Sequence, residues 1–294
     1  MEYIWILLIE VYMTNKTCLP DIQCSEPNIN IPIQQVGVEN IEVPFKLEFR
    51  SGGFCQLNAN VSIRTNLDKD TKGISMSRLL LTLKPYLDLP LKHVLIKQIL
   101  EDLRNNIGST ASYMKFDFRM PLIKQSITSD NKFPIYYKCR FEGQLEDNNF
   151  RFFQGVIIQY ASYCPCSAEL CKHLEDNKSK GYPHNQRSFA DILIEVQPPL
   201  YVWLEDIIET VETKIKTLPY PVIKRVDEQE IARVAAENPM FVEDSIRLIS
   251  VALNEMNLYD WIVKCKHEES IHTSEAIAIN WKGIAGGFSG RRFV

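Results

Sequence analysis

The chain has 294 residues, with 33 Lys and Arg against 37 Asp and Glu and a net charge of −4. That length allows one large domain or two modest ones, in either case with a sizeable core. The slight acidic balance argues against general nucleic-acid binding, which needs a basic surface, but local Lys and Arg still suffice for an anionic small ligand. Its eight cysteines are irregularly spaced in a long chain, unlike a secreted disulfide framework, so reduced thiols in the cytoplasm are expected.

In chain order, residues 3 to 12 form a short apolar run, Tyr3 to Tyr12. The run is too short to span a bilayer as a helix, and no basic segment precedes it, since the first Lys is Lys16. Met13 is an alternative start, and no membrane attachment is expected. Residues 13–40 are polar and rich in Pro and Asn, so residues 1–40 read as an arm. From Ile41 the pattern alternates, through Val43-Pro44-Phe45-Lys46-Leu47-Glu48-Phe49 and again from Cys55 to Ile63. With Ser51-Gly52-Gly53 between them, these segments predict a hairpin. Helices are expected at about 76–87 and 90–106, the second with Val94, Ile96, Leu100 and Leu103 near helical spacing.

Aromatic and β-branched residues predict strands at 112–125, 132–144, 150–162 and 189–196. A polar loop carrying cysteines is expected before the last of these. Trp203, Ile207, Val211 and Ile215 repeat every four residues as one helix face. Asp227 followed by Glu230 resembles a capping box for a helix at about 228–236. Asn238-Pro239 reads as an N-cap with proline at the first helical position, opening a helix with the stripe Val242, Ile246, Ile249 and Leu253. Strands at about 261–267 and 275–282 follow, then a glycine-rich tail expected to be mobile. The order implies two α+β halves of similar plan, residues 41–148 and 149–282, each with mostly antiparallel sheet and helices on one face. Residues 283–294 form the tail.

Cys164-Pro165-Cys166-Ser167 and His184-Asn185-Gln186-Arg187-Ser188 are the most informative segments. Two thiols and an imidazole are soft and nitrogen ligands for a divalent metal. Two buried thiols beside a surface histidine are the competing reading, because free Cys is among the most buried residue types. The spacing is unlike a zinc finger, and no second Cys-x-x-Cys pair exists, so an open catalytic site is the better metal reading. Asp227-Glu228 and Glu243-Asp244 are acids near helix starts, where the macrodipole favours them without further role. A carboxylate at Glu243 is also suited to accept paired N–H bonds from a guanine-like edge. Glu269 and His272 are spaced to share proton transfer, or form an ordinary polar turn. Lys72-Gly73-Ile74-Ser75-Met76-Ser77-Arg78 precedes a helix and combines glycine, hydroxyls and two cations suited to phosphates.

Taken in order, these motifs resemble GTP cyclohydrolase I type IB, a metal-dependent prokaryotic enzyme of folate synthesis. The resemblance runs from Pro20-Asp21-Ile22-Gln23 and Val36-Gly37-Val38 through the Lys72–Arg78, Cys164–Ser167 and His184–Ser188 segments. It continues with Lys224-Arg225-Val226-Asp227-Glu228, Asn238 to Asp244, and Glu269-Ser270-Ile271-His272. It implies a bimodular tunnelling fold and a homotetramer with interfacial active sites. It further implies one divalent metal (zinc, manganese or iron) on Cys164, His184 and Glu228, and a guanine-anchoring carboxylate at Glu243. Glu269 and His272 would be the acid/base pair, Cys166 a second active-site thiol, and Arg187, Lys72 and Arg78 the groups facing the triphosphate. A metal-activated water would then attack C8 of GTP, giving 7,8-dihydroneopterin triphosphate and formate.

Four departures from the family pattern lie near the implied pocket. The loop after Cys166 is longer by about eight residues, around Leu170–Ser179. Ala168 replaces a lysine, Ser75 stands first in the family's His-Met-Ser-Arg, and His272-Thr273-Ser274 replaces His-Asn-His. Three other readings compete: an archaeal-type relative making a cyclic phosphate of dihydroneopterin, a nitrile reductase of queuosine synthesis, and a purine- or pterin-binding relative without catalysis.

Overall fold

A computed structural model of the chain describes residues 22–174, 182–197 and 199–293. The apolar run at 3–12, the first part of the expected arm and the core of the expected long loop lie outside the described residues. Eight strands form one antiparallel sheet whose spatial order is the chain order. They are β1 (Ile33–Glu48), β2 (Phe54–Leu67), β3 (Ala111–Gln125), β4 (Lys132–Glu146), β5 (Asn149–Tyr163), β6 (Asn185–Val196), β7 (Asp260–His267) and β8 (Ala276–Trp281). The helices among the described residues are α1 (Met76–Leu83), α2 (His93–Ile107), α3 (Pro165–Leu174), α4 (Leu204–Ile215), α5 (Arg225–Glu237) and α6 (Val242–Glu255). None is long and apolar enough to cross a membrane.

Alternation along each strand gives the sheet one apolar face, and the helices cover it. Helix α2 lies on β3 and β4, while α4 and α6 lie on β5, β7 and β8. The expected α+β class, with antiparallel sheet and helices on one face, is the architecture observed. Phe118, Phe141, Phe152, Val156, Ile192 and Val263 belong to one buried cluster that runs across both groups of helices. The expected boundary near 148 is the tight β4–β5 turn, with Asp147 at φ 53°, and both sheet and core continue through it. The two halves also meet at Arg50, in the β1–β2 turn, whose guanidinium pairs with Asp206 and Glu209 of α4 at 2.5 and 2.6 Å.

Several expectations are corrected. Residues 33–40 are not arm but the start of β1, paired with β2 as far as Leu67. Gly37 there has no room for a side chain, because a Cβ would lie 1.9 Å from the Ile63 carbonyl oxygen. The residues after Cys164 are not loop but α3, with Pro165 at the first helical position, where its missing N–H costs nothing. Asn238 does not open α6. It closes α5, its side-chain amide donating to the Val234 carbonyl at 2.7 Å. The Met240 N–H then donates to the Tyr163 carbonyl at 2.9 Å, holding Pro239 and Met240 off the helical path, so α6 starts at Val242.

The glycine-rich tail is packed rather than mobile. The fully buried Asp260 carboxylate accepts the Phe288 N–H at 2.6 Å and the Trp261 N–H at 2.9 Å. Phe288 thereby covers Phe153, Leu193 and Ile262, a small second core on the sheet face away from the helices. Gly287 must be glycine, since a Cβ would lie 2.0 Å from that carboxylate.

At the end of the sheet where β5 finishes, the helix-covered face turns polar. Tyr160 Oη meets His267 Nε2 at 3.1 Å, and Ser245 Oγ from α6 approaches the same nitrogen at 3.4 Å. The Ser162 and Ser188 hydroxyls pair at 2.7 Å beside them. All five side chains are buried. Burial pushes the His267 imidazole down to about 4 from an ordinary 6.5, against an opposing pull from the Glu243 carboxylate.

Two predictions follow from this packing. Between pH 6.5 and 4 the unfolded chain binds the His267 proton and the folded chain does not. This contribution to stability is therefore present above the unfolded value and lost as pH falls through the window. Urea unfolding should show His267→Gln losing about 2 kcal/mol less stability than the native chain between about pH 7 and 4.5. Equal slopes for both proteins would refute the buried neutral imidazole. Phe288→Ala should cost about 3 kcal/mol in the same assay, and a change below about 0.5 kcal/mol, the size of an ordinary surface substitution, would refute a packed tail.

Candidate active site

The site is built where β5 and β7 finish and β6 begins, on the same side of the sheet. β5 finishes at Tyr163, and the next residue, Cys164, gives its carbonyl to the Ala168 N–H at 3.1 Å, so it caps α3. The Ser167 hydroxyl donates to that carbonyl at 3.2 Å and accepts the His184 N–H at 3.1 Å. The Cys164 N–H donates in turn to the His184 carbonyl at 3.1 Å. These bonds close the chain between the two cysteine- and histidine-bearing motifs, whatever the path of the residues between them. Cys166 is exposed on the first turn of α3, and Ala168 is buried beneath it.

β6 and β7 pair Ser188 with His267, and the Glu268 N–H donates to the Arg187 carbonyl at 3.0 Å. This register carries Glu269 alongside the start of β6. Gln186 Nε2 donates to Glu269 Oε1 at 3.2 Å, while Gln186 Oε1 lies 3.1 Å from His184 Nδ1. The Ser270 hydroxyl lies 3.3 Å from the same ring nitrogen. His184 and Glu269 are half-buried, whereas His272 sits exposed in the β7–β8 connection. Glu243 is exposed in the first turn of α6, close enough to His267 for their charges to couple.

Glu228 reaches this end of the sheet through its neighbour. Asp227 is fully buried in the first turn of α5. It accepts the N–H groups of Thr128, Ser129 and Lys224 at 2.9, 2.7 and 2.7 Å and the Ser129 hydroxyl at 2.6 Å. Burial alone would raise its carboxyl, but these bonds outweigh that and hold it well below the ordinary carboxylate range. The α5 N-terminus is thus fixed to the β3–β4 turn, with Glu228 exposed beside it. Cys164 and His184 are adjacent, but no three His, Cys, Asp or Glu side chains among the described residues gather closely enough to hold a metal. The expected three-ligand set is not assembled in this single chain.

Three expected site residues lie elsewhere. The pleat that turns Gln186 and Ser188 inward turns Arg187 to the opposite face, where it is exposed. Lys72 and Arg78 follow β2. Ala59, Phe118, Cys139 and Val156 pair in one row across the sheet, and Leu67 and Tyr163 lie beyond that row in opposite directions. Lys72 and Arg78 are therefore at the far end of the strands from Cys164 and His184, on the order of 40 Å away even with sheet twist. Arg78 lines a separate cavity of about 110 Å³ with Gln23, Gly73, Ser75 and Ser109.

Gln186, Tyr160, Ser245 and His267 were not singled out by residue pattern. Their roles come from cross-strand and strand-to-helix contacts. The one local signal was His267 at the end of an apolar strand, where a polar residue facing inward needs a partner.

The model of the family described as GCHY-1, type I GTP cyclohydrolase folE2, matches residues 19–278. A GTP cyclohydrolase FolE2 of Pseudothermotoga lettingae is 31% identical over 261 residues, 88% of this chain and 97% of that one. A GTP cyclohydrolase FolE2 of Cereibacter sphaeroides is 30% identical over 274 residues, covering 91% of this chain and 76% of that one. Among solved structures, a uricase from Arthrobacter globiformis aligns with a TM-score of 0.53 at 5% identity, over 87% of this chain and 96% of that one. That likeness is one of fold alone, the tunnelling fold. The ordered motifs, the single eight-stranded sheet and the match over most of the sequence agree, and the chain belongs to the type I GTP cyclohydrolase FolE2 family.

Proposed function

We propose that this chain is a GTP cyclohydrolase that converts GTP and water to 7,8-dihydroneopterin triphosphate and formate, the entry reaction of tetrahydrofolate biosynthesis. The observation that carries this reading is the joining of Cys164, His184, Gln186 and Glu269 at one sheet end in a chain of this family. Glu243, on the first turn of α6, is suited to accept two N–H bonds from the guanine edge. Glu269 and His272 move protons at the imidazole ring of the base as water adds at C8, the ring opens and formate leaves. Cys166, exposed at the start of α3 two residues from Cys164, would be the second thiol of the site.

The choice of metal follows from donor chemistry. Cys164 and His184 are joined through their backbones and offer a sulfur and a nitrogen ligand, a pair suited to zinc, iron or manganese in that order of softness. Glu228 would complete the set only if its side chain moves from the exposed position it holds on α5. The free thiols of Cys55, Cys139, Cys164, Cys166, Cys171 and Cys265 support work in the reducing cytoplasm.

The separation of Lys72 and Arg78 from the other site residues supports a homo-oligomer, a homotetramer by family resemblance, with sites between subunits. One chain would hold the base through Glu243, Glu269 and His272. A second would bring Lys72 and Arg78 to the triphosphate, with Arg187 on the outer face of β6 as a further cation. The halves 41–148 and 149–282 then act as two modules that face different neighbours.

With zinc, manganese or ferrous ion added, the purified protein should release one formate per GTP, with mass spectrometry showing the linear triphosphate product. No formate with any of these metals would sink the assignment, and a cyclic phosphate product would move it to the archaeal-type reaction. Cys164→Ala and His184→Ala should each lower retained metal at least 10-fold; full occupancy in either would refute the ligand assignment. Chains carrying Arg78→Ala mixed with chains carrying Glu269→Gln should regain activity that neither has alone. Mixed oligomers seen by native mass spectrometry without such recovery would refute the shared site.

A further inference from the structure

We propose that Gln186 is a positioning residue for this reaction, a two-ended amide clamp that fixes the tautomer of His184 and holds Glu269 at a set distance from it. The inference rests on the reading that His184 and Glu269 belong to the site. Gln186 is buried near the start of β6, with 7% of its surface exposed, between groups contributed by two different segments. Its Oε1 lies 3.1 Å from His184 Nδ1, and its Nε2 lies 3.2 Å from Glu269 Oε1.

An amide has one acceptor end and one donor end. A carboxylate only accepts, so the end facing Glu269 must be the NH2 group. Reversing the amide would set its oxygen against a carboxylate oxygen inside a buried contact, which is repulsive. With the NH2 group committed, Oε1 faces His184 and can only accept. The hydrogen between them therefore belongs to His184 Nδ1, with the Ser270 hydroxyl at 3.3 Å as a second acceptor for it. Nε2 of the imidazole is left with its lone pair, and the ring is held in one orientation.

The same geometry explains why glutamine serves here rather than a charged residue. A glutamate would keep the acceptor toward His184 but place a second carboxylate against Glu269. An apolar residue of similar length would lose both ends. The two arms can therefore be separated by substitution.

The test uses the full-length protein with its histidines labelled with nitrogen-15, stripped of metal by a chelator so that no ion at Nε2 selects the tautomer, at about pH 8, without GTP; activity is read after metal is restored. Long-range nitrogen–proton spectra should show His184 as a single Nδ1–H tautomer in the native protein. In Gln186→Met, His184 should become a mixture of tautomers. In Gln186→Glu the Nδ1–H tautomer should persist. Both variants should lower kcat for formate release by about 10- to 100-fold, the scale seen when partners of catalytic ligands are removed, with KM for GTP within about twofold of native. Gln186→Met retaining a single Nδ1–H tautomer, or Gln186→Glu retaining native kcat, would overturn the clamp. Should Gln186→Met fail to fold, Gln186→Glu and the native spectrum still decide the matter, since a native Nε2–H tautomer alone refutes it. If the spectra behave as expected while the native protein releases no formate, the proposed activity fails and with it the positioning role, while the amide's hold on the His184 tautomer stands.

Discussion

Strand β6 has one register that serves, and the site end of the molecule depends on it. Pairing Ser162 with Gln186 and Ser188 with His267 turns Gln186, Ser188 and His267 toward the helices together. A slip of one residue would reverse every side chain on the strand. Arg187 would turn into the core, Ser188 would leave Ser162 for the opposite face, and the amide between His184 and Glu269 would be lost. The apolar stretch from Ile192 to Ile194, with Ile192 and Ile194 buried under the helices and Leu193 buried under Phe288, blocks that slip because both faces of the strand are already committed.

Around this register the site end is organised by contacts of very different reach. Asp227 ties α5 to a turn between β3 and β4, Met240 ties the α5–α6 connection to the last residue of β5, and Ser245 ties α6 to β7 through His267. Each joins a helix of the second half to a strand end, and none is an ion pair. A buried carboxylate held by N–H groups and a buried neutral imidazole leave a single negative charge beneath the site end. Glu243, Glu228 and His272 stand on the surface, where a ligand can meet them.

Much of the fold was legible because alternation and four-residue repeats are local. The stripe Ile207, Val211 and Ile215 and the strands from Ala111 to Tyr163 needed nothing beyond their own residues. Helix α3 was not legible: Pro165 to Leu174 buries only Ala168, so its apolar pattern is faint. The tail was misread because glycine signals freedom, whereas Gly287 is there to let the backbone approach Asp260. At the site, residue types were readable from the motifs, but not their grouping. The outward face of Arg187 was legible from alternation along β6. The remoteness of Lys72 and Arg78 was not, because it emerges only once eight strands are laid side by side.

A chain whose base-recognising and phosphate-recognising groups sit at opposite ends of its strands is, under the proposed activity, half of two machines and the whole of neither. Dilution would then switch it off before it unfolds, and its specific activity would rise with its own concentration. A cell could set pterin output through how much of this chain it makes, more steeply than in simple proportion. A defective copy would spoil the site on each side of it, so that a minority of faulty chains silences a larger share of the pool.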